Sequence, residues 1–340
     1  MPSMIRRKTD KKMRPVTLFL VLWLMVSFNS IASGQYAIVI HGGSGNIARE
    51  SISPELEKEY IAKLQEALNA AEEILKAGGT SLDAVVVAVM ILEDSPLFNA
   101  GKGAVFTHDG INELDASIMD GATLNAGAVA GITTVKNPIL AARKVMEESP
   151  HVMLSGRGAE QFAFEKGLET VKPSYFFDQR RWDQFRRLHQ ERFQLRGQDY
   201  DDQKRGTVGA VALDLNGNLA AATSTGGMVN KRYGRIGDSP IIGAGNYANN
   251  LSCAVSATGH GEFFIRNVVA HDISARMLYG GQSLNEAARQ VVLEVLKSQE
   301  ANGGIIAVDK NGNIAMPFNT TAMFRGFVKS TGETEVKIFE

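Results

Sequence analysis

The chain is nearly without cysteine. Cys253 stands alone among 340 residues, so neither an intrachain disulfide nor a cysteine metal cluster is available. A dominant charge is missing too. Lys and Arg number 36 against 37 Asp and Glu, a net charge of −1, and no overall field selects nucleic acid or an anionic membrane as partner. The six histidines are scattered, without a His-Glu-x-x-His or other paired spacing, and offer no obvious ligands for a catalytic metal. No Gly-x-Ser-x-Gly occurs, which excludes the strand–turn–helix elbow of a serine hydrolase. What the chain does have is glycine, 34 residues, implying many tight turns and close backbone approaches. Its 44% hydrophobic content suffices for a sizeable core.

The N-terminus has a pattern of its own. Arg6, Arg7, Lys8, Lys11, Lys12 and Arg14 are followed by a 13-residue, largely apolar run from Val16 to Phe28 and then by the small-residue stretch "NSIASGQ". This is the pattern of a secretory signal over residues 1–34, and the run is short for a membrane span. An uncleaved signal anchor is the alternative. The expected mature chain starts near Gln35, is periplasmic or secreted, and keeps no membrane contact once the signal is removed.

Beyond the signal, "YAIVIHGGSGN" predicts a buried strand entering a glycine turn. Ser53-Pro54-Glu55 predicts a capped helix start, and Gly78-Gly79 its stop. A second helix, apolar nearly all round, is expected over Thr80 to Leu92. Gly103 to Gly121 suggests strand, turn, strand, and Asn137-Pro138 opens a third helix to about Glu148. Two stretches, each with a central Asn-Gly at Asn216-Gly217 and Asn311-Gly312, predict hairpins. Between them one helix is expected from Gly261 to Tyr279 and another from the capping box at Ser283-Leu284-Asn285-Glu286. Strands grouped in hairpins, with helices grouped between them, indicate an α+β protein of antiparallel sheets covered by helix layers. The Gly43-Ser44-Gly45-Asn46-Ile47-Ala48 string fits a dinucleotide fingerprint, but a helix following a helix leaves no second parallel strand for it.

From about residue 150 to 206 the composition turns polar. Between Asp178 and Asp202 six arginines face six acids, so the local charge cancels and a nucleic-acid surface is not implied. A solvated surface helix followed by a flexible tether is expected there.

The tether ends at Gly206-Thr207, where a small, apolar strand begins. A threonine hydroxyl is a weak nucleophile unless a base adjoins it. A free α-amine on the same residue, with an ordinary pKa of about 7.7–8.0, is such a base. It would appear only if the chain were cut between Gly206 and Thr207, and glycine tolerates the strained backbone such a cut needs. Taken alone, Gly-Thr at a strand start is better explained by the β-branched residue's preference for strands.

The surrounding strings are more specific. In order, "IHGGSG", "SPLFNAGKGAVFTHDGINELDASIMDG", "GTVGAVALD", "ATSTGG", "GRIGDSPIIGAGNYA" and "TGHGE" resemble the plant-type asparaginase/isoaspartyl peptidase family of N-terminal nucleophile hydrolases, over essentially the whole chain after the signal. The resemblance implies a four-layer αββα sandwich and self-cleavage into an α-subunit, residues 35–206, and a β-subunit, 207–340, which together form one domain. It implies hydrolysis of L-asparagine and β-aspartyl dipeptides through a β-aspartyl ester on Thr207, in a homo-oligomer that is a dimer of processed pairs.

Carried over by motif, Thr207 is the nucleophile and Thr225 assists its hydroxyl and amine. Thr258 and Gly259 form the oxyanion hole. Arg235 and Asp238 hold the substrate's α-carboxylate and α-ammonium, and Asn99 helps place the nucleophile. No cofactor is implied for catalysis. A structural sodium ion is implied on the backbone carbonyls of Leu92, Glu93, Ser95, Phe98, Ala100 and Lys102. His260, between Gly259 and Gly261, is expected to be a loop histidine without a catalytic role. Two alternatives stay open: a glycosylasparaginase-like amidase, and an exported, non-enzymatic binding protein on the same scaffold.

Overall fold

The computed structural model describes residues 34–194 and 206–340. Residues 1–33, where a signal is expected, and the polar stretch 195–205 lie outside the described residues. In chain order the strands are β1 (Ala37–Gly45), β2 (Leu114–Asp120), β3 (Ala126–Ile132), β4 (Met153–Ser155), β5 (Val208–Leu213), β6 (Leu219–Thr225), β7 (Asn246–Ala248), β8 (Cys253–Gly259), β9 (Gly303–Asp309), β10 (Ile314–Ala315), β11 (Ala322–Lys329) and β12 (Thr334–Lys337). They form an eight-stranded sheet, ordered β12-β11-β1-β5-β6-β2-β3-β4, and a four-stranded sheet, β10-β9-β8-β7. Between these strands β3–β4 is the parallel pair; the other ladders are antiparallel.

The helices are α1 (Pro54–Lys76), α2 (Ser81–Glu93), α3 (Pro138–Glu148), α4 (Gly156–Glu165), α5 (Gln179–Gln194), α6 (Gly261–Arg266), α7 (Val269–Gly280) and α8 (Leu284–Arg289). Their starts are written locally. The Ser53 hydroxyl accepts from the Leu56 N–H, with Pro54 and Glu55 following. The Thr80 hydroxyl accepts from the Asp83 N–H. Ser283 and Glu286 close a capping box. No helix among the described residues is long and apolar enough to cross a membrane.

Strand alternation shows the layering. On β1, Ile38 and Ile40 join the core beneath α1, α2 and α3, while Ala37 and Val39 face the other sheet. β5 does the same with Ala210 and Ala212 against Val211 and Leu213, and β6 with Ala220 and Ala222 against Leu219 and Ala221. In the second sheet Val255 and Ile305 pack with α7 and α8, whereas Ala254, Ile306 and Val308 meet the first sheet. Three cores between four layers make an αββα sandwich. A strand packed on both faces has no polar face to spare, which is why these segments read as continuous small apolar runs.

Three local expectations change. The helix over Gly261 to Tyr279 is two helices, broken where Val268 takes a left-handed conformation (φ 49°) and the Asn267 side chain donates to the Phe263 carbonyl. The first strand expected after Gly103 is a single bridge, Phe106 to Asn112. The largest difference concerns residues 150–206. Instead of one surface helix, the described part, residues 150–194, holds β4, α4 and α5, and the rest of the expected tether, 195–205, lies outside the described residues. Trp182 and Phe185 of α5 pack on Phe106 with ring centroids 5.0 and 6.2 Å away, and Phe176 is fully buried. The aromatic side of α5 is thus its core face. The arginines hid it, although Arg181 itself turns inward and donates to the Gly103 carbonyl at 2.8 Å.

One buried polar group ties the two sheets together. The ring of His41, on β1, donates from Nδ1 to the Thr207 carbonyl at 2.8 Å, so its Nε2 accepts from the Ser256 hydroxyl on β8 at 2.9 Å. Gly209 makes room: a Cβ there would lie 2.0 Å from Ser256 Oγ and 2.4 Å from His41 Nε2. Burial pushes the ring's pKa down to about 3, against a smaller raising effect of the Thr207 carbonyl. The folded value is depressed, so the unfolded chain binds the extra proton. Stability is therefore present above the ordinary value of 6.5 and is lost as pH falls from there towards 3, by up to about 1.4 kcal/mol per pH unit. Between pH 6.5 and 5 the buried Glu93 carboxyl, raised to about 8, adds a slope of opposite sign that is common to wild type and variant. Thermal unfolding should therefore show wild type losing more stability per pH unit, or gaining less, than His41→Gln by this amount. Equal slopes in both proteins would show that His41 does not carry the dependence.

Candidate active site

Gly206 and Thr207 sit at the entry to β5, the strand flanked by β1 and β6. Thr207 is 8% exposed. Its hydroxyl donates to Thr225 Oγ1 at 3.1 Å, and Thr225, the last residue of β6, passes its own proton to the Gly206 carbonyl at 3.3 Å. The Gly227 N–H donates to the same Thr225 oxygen at 3.0 Å. Asn99 completes the ring of contacts. Its amide donates to the Gly206 carbonyl at 2.7 Å and to the Gly227 carbonyl at 2.8 Å, while its Oδ1 accepts from the Val105 N–H at 3.0 Å. Gly206's carbonyl is thereby polarised by two donors, with a hydroxyl on the next residue.

Backbone crowding at this seam needs glycine. Gly43 has φ 111°, and a Cβ on it would come 2.7 Å from Gly206 Cα and 3.2 Å from the Thr207 nitrogen. The bulge in the β1–β11 ladder between His41 and Gly43 brings this residue against the seam.

A cleft opens here, lined among others by Thr207, Thr225, Gly227, Arg235, Asp238 and Gly259. Thr258 stands just behind Gly259 at the end of β8 and is fully buried. Its hydroxyl accepts from the Ser44 N–H at 3.3 Å, and Ser44 Oγ donates back to the Thr258 carbonyl at 3.1 Å. Gly259 also requires its glycine, because a Cβ would fall 2.5 Å from the Asn302 carbonyl oxygen. Motif residues spread over 160 positions, from Asn99 to Gly259, thus gather around one seam. A hydroxyl, a polarised carbonyl, a cation and a carboxylate share one cleft, which suits acyl transfer on a small substrate with both charges.

Two groups at the site escaped the sequence reading. Glu262, the last letter of "TGHGE", holds Arg235 through two parallel contacts, Nε and Nη2 each 2.9 Å from a carboxylate oxygen. Burial alone would raise the Glu262 carboxyl, but the hydrogen bonds and charge of Arg235 outweigh it and hold the pKa at about 2. Lys231 is the other. Its side chain is 2% exposed, with Nζ 3.3 Å from Glu113 and 4.0 Å from Asp115. It lies against Gly227, where an added Cβ would come 3.1 Å from Nζ. Asp115 faces Thr225 across the β2–β6 ladder, and its burial pushes its carboxyl up. The available signal was Glu113 and Asp115 two residues apart, on one side of an extended segment.

The loop from Leu92 to Gly103, which carries Asn99, is built on its own carbonyls. Leu92 O accepts from the Ser95 N–H at 3.3 Å and Ala100 O from the Gly103 N–H at 3.1 Å. A Cβ on Gly101 would come 2.3 Å from the Glu93 carbonyl, and one on Gly103 2.0 Å from the Phe98 carbonyl. The buried Glu93 carboxyl, pushed up to about 8 by burial, accepts from the Ser224 hydroxyl at 2.6 Å and the Ile139 N–H at 3.0 Å. Its side chain therefore ties the end of α2 to β6 and α3, and the loop's backbone oxygens are its potential cation donors.

Comparison with known proteins agrees with this geometry. The family model described as asparaginase matches residues 34–338. The isoaspartyl peptidase of Escherichia coli (strain K12) is 53% identical over 309 residues, covering 89% of this chain and 96% of that protein. The isoaspartyl peptidase/L-asparaginase of Rattus norvegicus is 44% identical, covering 86% of each chain. The plant-type L-asparaginase of Pyrococcus furiosus is 43% identical, covering 86% of this chain and 96% of that one. With a match across nearly every described residue, the chain belongs to the asparaginase family.

Proposed function

We propose that this protein cuts itself between Gly206 and Thr207 and then hydrolyses L-asparagine and β-aspartyl dipeptides. The observation that carries this reading is the relay from the Thr207 hydroxyl through Thr225 to a Gly206 carbonyl already held by Asn99. In self-cleavage, Thr207 Oγ attacks the Gly206 carbonyl carbon, the peptide C–N bond breaks, and an ester replaces it. Water then hydrolyses that ester. Gly206 leaves as a carboxylate and Thr207 gains a free α-amine.

Turnover repeats the sequence on the substrate. The amine takes the hydroxyl proton as Oγ attacks the side-chain amide carbon, and returns it to the departing ammonia or amino acid. Thr258 and the Gly259 N–H meet the developing oxyanion, at a few kcal/mol per donor. Water releases aspartate from the Thr207 ester. Arg235 and Asp238 are the complement of one anion and one cation on a single carbon, the signature of an α-amino acid head group. The carbonyls of Leu92, Glu93, Ser95, Phe98, Ala100 and Lys102 would hold a sodium ion. A loop whose donor set is backbone oxygen suits a hard cation, and such an ion would stiffen the support of Asn99. The signal pattern supports export to the periplasm or beyond. A dimer of processed pairs is the proposed assembly, with a small molecule as substrate and no nucleic acid.

Thr207→Ala should abolish both the cut and hydrolysis, and Thr207→Ser should keep part of each. Denaturing electrophoresis with N-terminal sequencing of purified protein decides this. A wild-type chain that stays whole would favour the binding-protein alternative, and a Thr207→Ala chain that still cuts would remove Thr207 from the chemistry.

Asp238→Ala should still process, because the Gly206 carbonyl carries no α-ammonium. Its kcat/KM for both asparagine and a β-aspartyl dipeptide should fall by at least about tenfold for each 1.4 kcal/mol lost. Near-normal turnover of both substrates would place the ammonium elsewhere.

Replacing sodium by choline at constant ionic strength should lower the unfolding temperature, since an ion bound only by the folded state stabilises it. An unfolding temperature indifferent to sodium would argue against the ion site.

A further inference from the structure

Arg235 is paired with a carboxylate of the protein itself. Glu262 occupies its Nε and Nη2 with two contacts of 2.9 Å, a planar fork-to-fork pairing that fixes direction as well as distance. The guanidinium is also wedged between two backbone stretches. A Cβ on Gly237 would lie 2.7 Å from Nη1, and one on Gly261 2.7 Å from Nη2. Gly261 also lies close to the partner group: its Cβ would come 2.9 Å from Asp238 Oδ1. Arg235, Gly237 and Asp238 all line the cleft with Thr207. Glu262 itself is 45% exposed and does not line it.

We propose that Glu262 is a positioning residue for substrate recognition: by occupying the Nε–Nη2 edge it commits the Nη1 side of Arg235, beside Gly237, to the substrate's α-carboxylate. The consequence is division of labour on one guanidinium. One edge is permanently engaged by the protein and the other is presented at a fixed angle to Asp238. An α-amino acid head group is then read as a pair of charges at set spacing and handedness. Without Glu262, the arginine keeps its charge but loses the contact that sets its direction, and a flexible side chain must be ordered by the substrate itself. His260 adjoins this pairing, its Nε2 3.5 Å from Glu262 Oε2, but does not replace either contact to Arg235.

The inference rests on the hydrolase reading above, and one set of kinetics separates the two. Glu262→Ala and Glu262→Gln are purified alongside wild type, and the extent of the 206–207 cut is measured first. Both variants should process normally, since that step has no α-carboxylate. For asparagine and a β-aspartyl dipeptide, Glu262→Ala should raise KM about tenfold or more, equivalent to about 1.4 kcal/mol, with kcat within about threefold of wild type. Glu262→Gln retains one acceptor oxygen and should lie between. Preference for the L- over the D-form of asparagine should narrow in Glu262→Ala. A KM that is unchanged or lowered in Glu262→Ala, with wild type active, overturns the positioning role. A wild type that cuts itself yet hydrolyses neither substrate overturns the hydrolase reading instead.

Discussion

Face-to-face packing of two sheets is the constraint on which the rest depends. β1, β5 and β6 are covered by helices on one side and by the second sheet on the other, so their interiors admit few polar side chains. Chemistry is pushed to the strand ends. Thr207 opens β5, Thr225 closes β6, and Thr258 with Gly259 closes β8. These ends are adjacent because the strands are paired or stacked, and the loop bearing Asn99 caps them. Most of the polar atoms that remain between the sheets are engaged: His41, Ser256 and Thr223 form one hydrogen-bonded chain, and the Asn246 amide donates to Thr223 at 3.2 Å, while Asn246 Oδ1 accepts no bond among the described residues. A buried network of this kind is favourable only when satisfied, and here it also sets the height of the Thr207 carbonyl.

The site follows a second rule, that close backbone approach substitutes for side-chain bulk. Gly43, Gly209, Gly259 and Gly261 each stand where a Cβ would meet a neighbouring atom at under 3.0 Å. The atoms met belong to the seam, the His41 bridge, the Asn302–Gly303 backbone at the start of β9 and the Arg235–Asp238 pair. Four of the 34 glycines thus stand where backbone groups and the side chains of the candidate site come within close reach of one another.

Legibility in the sequence divides along the same line. The helix starts at Ser53, Thr80 and Ser283 are local events and could be read directly, as could the hairpins at Asn216-Gly217 and Asn311-Gly312. Antiparallel sheets under helix layers followed from the order of elements; the four-layer sandwich came with the family strings. Those strings also named the residues gathered around Thr207, which spacing alone could not have assembled. What stayed hidden depends on partners distant in the chain. Lys231 looks like surface charge until β2 places Glu113 and Asp115 beside it. Glu262 looks like a helix-start acid until Arg235, 27 residues earlier, reaches it. α5 reads as a solvated helix because its arginines outnumber its aromatics, yet the aromatics decide which side packs.

The strand order gives the Gly206–Thr207 junction an unusual property. β1, from before the junction, lies between β11 and β5, both from after it; β6, from after, lies against β2, from before. Two fragments produced at this bond would be interleaved through three separate ladders and their shared cores. Such a cut would release no fragment, and the folded shape would register it only at the new termini. On the proposed self-cleavage, the pairing that threads one piece through the other would be set while they are still one chain, before the bond is broken. Once unfolded, the pieces would have to find each other as two molecules, and the concentration-free folding of the precursor would be gone. Such a protein carries its assembly history as a one-way step.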